Sequence, residues 1–127
     1  MKSALFVGIG GFVGALARYK AGGLVLHHFA SSKFPLSTFV VNVAGCLLIG
    51  LLAGFSEKHQ VFSNDLKLFL FTGLLSGFTT FSAFGYETIY LIRRGETLAA
   101  GLNVVLSVTV GLFAVWIGLK AIERLPF

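Results

Sequence analysis

Charge is scarce in this chain. Of its 127 residues only 12% are charged, five of them acidic, while 56% are hydrophobic, and the mean hydropathy is +0.89. A water-soluble domain of this size could not keep such a surface monomeric, so lipid is the expected solvent. Cysteine is reduced to Cys46, which excludes an intrachain disulfide and a cysteine metal centre and leaves a small buried hydrophobe within a span. The net charge of +5 is dispersed over loops and helix ends with no basic patch, so nucleic acid is not an expected partner. A hydrolytic constellation is also missing. His27, His28 and His59 fall in polar loops, no second carboxylate accompanies Glu87 at depth, and the serines lack a nearby base, so the chain is not expected to be an enzyme.

What remains is apolar sequence cut by short polar clusters at residues 27–33, 57–65 and 93–97. A spanning helix needs about 20 apolar residues, and four such stretches use almost the whole chain. The predicted spans are 4–26, 34–55, 66–92 and 98–122, one all-α integral membrane domain over residues 1–127 with both termini on one side. The run ending at Ala15, Leu16 and Ala17 imitates a cleavable signal peptide. Cleavage there would discard one of four similar spans, so a retained first span is expected.

Lysine and arginine divide evenly between the two sides. Lys2, Lys58, Lys67, Lys120 and Arg124 lie with the termini, and Arg18, Lys20, Lys33, Arg93 and Arg94 lie opposite. Orientation follows an imbalance of these residues, so their balance leaves insertion in both orientations open beside insertion in one.

Small residues mark the helix faces that meet protein. Gly10 and Gly14 stand one helical turn apart in the first span, and Asn42, Cys46, Gly50 and Gly54 form a stripe along the second. Asn103, Ser107 and Gly111 repeat that spacing in the fourth. The third span is different, because Thr72, Gly73, Ser76, Gly77, Thr79, Thr80 and Ser82 crowd its middle. Glycine lowers helix stability by about 1 kcal/mol per residue, and threonine hydroxyls compete for backbone groups. A break is predicted over 76–80, and broken backbone at membrane depth is tolerated only within protein or beside a polar cavity.

Candidate functional residues gather around that break. Phe81 and Phe84 share a helix face, and the electropositive edge of an aromatic ring can favour a small anion without fixed positive charge. Asn42 is the only amide of the second span, which leaves two readings, interhelical hydrogen bonding or ion coordination. Arg18 and Glu87 lie in the halves of their spans that lead to one side. They either pair or snorkel, or Arg18 makes an electropositive vestibule.

Three ordered motifs carry a resemblance over essentially the full chain: GGFVGALARY at 10–19, PLSTFVVNVAG at 35–45 and GLLSGFTTFSAF at 73–84. Through them the sequence resembles the CrcB/Fluc family of small bacterial fluoride channels. The resemblance implies a fluoride-selective passive channel of the bacterial inner membrane, built as an antiparallel, dual-topology homodimer with two pores along the subunit interface. It implies a structural sodium ion at the dimer centre, held by backbone carbonyls of Ser76 and Thr79. By position, the fluoride pore falls on Asn42, Phe81, Phe84, Thr80, Ser82, Asn103 and Ser107, with Arg18 at the vestibule.

Ser76 stands where the family usually has the first of two glycines, Ala83 and Gly85 where it has serine or threonine, and Gly111 where some relatives carry serine. A carbonyl ligand survives a change of side chain, so Ser76 bears on the sodium site only through backbone geometry. The rival reading, a dual-topology multidrug or guanidinium antiporter, requires a deep carboxylate in the first span, and that span has none. A non-transporting assembly protein is the third possibility, with the glycine stripes serving packing alone.

Overall fold

A computed structural model describes residues 1–127. The chain is wholly helical. It runs α1 (Lys2–His28), α2 (Leu36–His59), α3 (Asn64–Lys67), a π-helical stretch (Leu68–Leu75), α4 (Ser76–Phe78), α5 (Phe81–Arg93) and α6 (Thr97–Arg124). The segment Asn64–Arg93 forms the third span, and all four spans are long and apolar enough to cross a membrane. The chain is therefore a multi-pass membrane protein.

The ends of the spans differ from the sequence expectation for local reasons. Glu57, Lys58 and His59, predicted as loop, continue α2. That helix stops at Gln60, whose left-handed backbone (φ 51°) turns its N–H onto the Ser56 carbonyl at 2.9 Å. In the third span, Ser76–Phe78 are helical and extended dihedrals are confined to Thr79 (φ −88°, ψ 158°) and Thr80 (φ −151°, ψ 115°). The π coil before them was not predicted from the sequence. Its wider turn lets the Ser76 hydroxyl donate back to the Phe71 carbonyl, five residues earlier, at 3.1 Å.

Two seams hold the spans together, and each joins helices that run the same way. In one, α1 lies on the π stretch and α4. A Cβ on Gly14 would strike the Leu74 carbonyl, and one on Gly77 would come within 2.6 Å of the Gly11 carbonyl. In the other, α2 lies on α6, where a Cβ on Gly50 would strike the Val115 carbonyl and one on Gly118 would approach the Leu47 carbonyl to 2.7 Å. Backbone against backbone maximises dispersion where apolar burial supplies no drive, because lipid is as apolar as the helices. The predicted contact face of Gly10 and Gly14 is thus a packing surface, and both residues are buried.

Only 18 of the 127 residues are buried, so most of the apolar side chains look outward to lipid or to another protein surface. Polar ties sit at the two ends. Lys2 reaches Asp65 at 3.4 Å and Lys58 donates to the Ile122 carbonyl at 2.9 Å, placing the termini with the second loop, while Lys33 meets Glu96 at 3.3 Å on the other side.

Candidate functional site

Leaving the helix at Thr79 and Thr80 frees backbone groups that must find partners. Asn42 supplies one set. Its Nδ2 donates to the Thr80 carbonyl at 3.0 Å, and its Oδ1 accepts from the Thr80 amide at 2.8 Å. One amide side chain thereby replaces both halves of a missing helical connection and holds α2 against the break. An amide nitrogen carries two hydrogens, so one donor of Asn42 remains uncommitted.

The threonines close the remaining gaps. Thr79 returns its hydroxyl to the Leu75 carbonyl at 2.9 Å, whereas the Thr80 hydroxyl caps α5 by accepting from the Ala83 amide at 3.2 Å. Gly45 gives Thr79 room, since a Cβ there would strike the threonine methyl. Carbonyls stay open around the break, those of Ser76 and Thr79 among them. The Thr80 amide, which a continuous helix would aim at Ser76, is committed to Asn42, and no hydrogen bond reaches the Thr79 carbonyl.

Beside the break lies a cavity of about 360 Å³. Asn42, Thr79, Thr80 and Ser107 give it polar groups, Phe81 and Phe84 stand on its wall, and Ser76 joins the rim. The two rings lie 5.5 Å apart with planes inclined by 42°, so at least one edge is turned away from its neighbour. Phe81 is 83% exposed. Cys46, expected to be buried, is half-buried on the same wall. Its four-residue spacing from Asn42 was the available signal.

The remaining candidates lie elsewhere. Asn103 is 2% exposed and off the cavity. Its Nδ2 donates to the Thr88 hydroxyl at 2.9 Å and its Oδ1 accepts from Ser107 at 3.2 Å, so it ties α5 to α6 and fixes the serine that does face the cavity. Ser82 is exposed, its hydroxyl 3.3 Å from that of Thr80, and it is not part of the cavity wall. The suggested pairing of Arg18 with Glu87 does not form. Glu87 Oε1 accepts from Thr38 at 2.7 Å, while Glu87 Oε2 and Arg18 Nε are each buried without a partner. Outside the spans, Arg94 donates to the Tyr90 hydroxyl at 2.7 Å, and that bond pushes its pKa above the usual arginine value.

A cavity with an amide donor, hydroxyls, two aromatic rings and no facing ionic side chain suits a weakly held anion. Residues 5–119 match the family described as "CrcB-like protein, Camphor Resistance (CrcB)". The chain belongs to the CrcB family. Among the CrcB relatives of similar length, a protein of Methylobacillus flagellatus is 46% identical over 97% of this chain and 96% of its own. One of Flavobacterium psychrophilum is 47% identical over 98% of this chain and 100% of its own. A third, of Oceanobacillus iheyensis, is 42% identical over 94% and 91%. Each of these is named "Fluoride-specific ion channel FluC". That name describes an ion channel and not an enzyme.

Proposed function

We propose that this chain is a fluoride-selective passive anion channel of the bacterial inner membrane. The observation that carries the proposal is the cavity that joins the Phe81 and Phe84 rings to the free amide hydrogen of Asn42 and to the Thr80 hydroxyl, with the Ser107 hydroxyl able to face an ion by turning from its bond to Asn103. Fluoride is small and strongly hydrated, so it leaves water only where several donors replace its shell at once. Ring edges add attraction without the tight grip of a buried cation, and conduction needs sites weak enough to release the ion. Arg18 and the other basic residues of its side draw anions toward the spans. The membrane potential, about 2.3 kcal/mol per charge at 100 mV, then drives the anion out of the cell.

The working unit in this reading is an antiparallel homodimer. Its support is the even division of Lys and Arg between the two sides, together with Phe81, whose bare ring at 83% exposure stands beside polar groups that lipid does not satisfy. The inverted partner closes each cavity into a pore. It also brings the broken third spans together at the centre. There the Ser76 and Thr79 carbonyls fit a structural sodium ion, because they are hard oxygen donors with no helical partner, as at other broken membrane helices. Bound sodium supplies fixed positive charge at the centre of the assembly. The antiporter reading lacks its required first-span carboxylate.

Fluoride efflux from proteoliposomes, read with a fluoride electrode and with chloride as the control, tests the proposal. Fluoride flux without chloride flux is expected, with Phe81→Ile as the blocked control. Well-folded protein that passes no fluoride would sink it.

A further inference from the structure

The outward face of α6 carries a second arrangement, remote from the break. Trp116, Lys120 and Arg124 stand at successive four-residue steps, so they share one helix face near the end of the span. Together with Ile117 and Ala121 they line a depression of about 220 Å³. Ile117 also belongs to a larger groove of about 440 Å³ between α2 and α6, whose walls are entirely apolar and include Val43, Leu47, Val110 and Phe113. From Val110 to Arg124 the combined feature extends along roughly 20 Å of helix.

We propose that this composite surface is a binding site for one anionic phospholipid, its phosphate held by Lys120 and Arg124 and an acyl chain in the α2–α6 groove. Three observations select that occupant. The groove changes from apolar to Trp and basic along its length, which is the sequence of environments a phospholipid presents from chain to headgroup. Arg124 makes no ion pair, and Lys120 is held only by Glu123 at 2.7 Å on the exposed surface, a contact readily exchanged for a phosphate. A second copy of the chain is a poor fit, because it would have to offer acidic groups. Of its five acidic residues, Asp65, Glu96 and Glu123 are paired and Glu87 bonds Thr38, so Glu57 is the one unengaged side-chain carboxylate it could bring to two cations. Trp116, half exposed at 51% and stacked on Phe113 with ring centres 5.7 Å apart, marks the boundary between headgroup and chain.

Trp116 is the only tryptophan in the chain, so its fluorescence reports this site alone. The test reconstitutes the full protein with phosphatidylglycerol or phosphatidylcholine brominated on the acyl chains and follows quenching against mole fraction. Half-quenching is expected at a mole fraction about threefold lower for phosphatidylglycerol. The paired variant Lys120→Gln/Arg124→Gln, at positions without packing roles, should erase the preference. Glu123→Gln frees Lys120 and should enlarge it. Inorganic phosphate in the buffer should leave it unchanged. Equal quenching by the two lipids, a preference that survives the paired variant, one that fails to grow in Glu123→Gln, or one reversed by inorganic phosphate would each overturn the assignment.

Discussion

The α2–α6 seam and the region of Thr79 and Thr80 solve opposite problems. Along the seam, Gly50 and Gly118 bring backbones so close that no side chain intervenes, and its stability is dispersion between complementary surfaces. At the break, two extended residues are held by directed hydrogen bonds from Asn42, and a cavity is left beside them. The first region is complete within one chain. The second exposes an aromatic ring and leaves backbone carbonyls open. Close packing therefore supplies the frame, and hydrogen-bonded irregularity leaves a cavity within it.

Substitutions can break that division of labour. The largest effect is expected in the frame. Gly118→Val places a branched side chain against the Leu47 backbone, which cannot yield, and overpacking costs about 1–3 kcal/mol or more. The folded peak in size-exclusion chromatography should disappear. Phe81→Ile should instead keep that peak and lower fluoride flux by about a hundredfold, since the exposed ring contributes little to one chain's packing. A Phe81→Ile protein that fails to fold would erase the contrast between the two regions.

Asn42→Ala tests whether the two roles meet in one residue. It strips partners from the Thr80 amide and carbonyl, costing about 1–3 kcal/mol for each buried group left unpaired. Thermal stability and flux should fall together. Asn103→Ala should lower stability by about 1–2 kcal/mol through loss of the Thr88 bond, whereas Ser107→Ala should slow flux and lower melting by less, since it removes only the donor to the Asn103 Oδ1. Equal melting losses in these two variants would blur the boundary drawn through α6. The smallest effect belongs to the loops. Replacing Lys33 by Gln should alter stability by no more than about 0.5 kcal/mol, since its 3.3 Å ion pair with Glu96 is exposed.

Hydropathy made the spans legible because length and apolar content are properties of a segment by itself. The glycine spacing of 10 and 14 was readable for a similar reason, as it describes one helix face. A break over 76–80 could be anticipated because threonine and glycine crowding is local, although only 79 and 80 leave the helix. Partnerships were not legible in the same way. Nothing in the spacing of Asn103 distinguished a cavity-facing amide from one turned onto Thr88, and the Thr38 to Glu87 bond joins residues 49 positions apart. Arg18 and Glu87 were natural partners by charge and depth, yet their positions in the bundle keep them separate. Asn42 was left between two roles, and its hydrogen bonds explain why, since it braces the break and keeps one donor free.

The π-helical coil over Leu68–Leu75 sets the phase of everything that follows it in the third span. An α-helix turns by about 100° per residue, so removing one residue from this coil and rewinding it as regular helix would present a different side of residues 76–80 to α2. Asn42 would then meet the wrong backbone groups although every residue of the site was still present. The coil is a phase setter, and in this span the count of residues carries as much information as their identity.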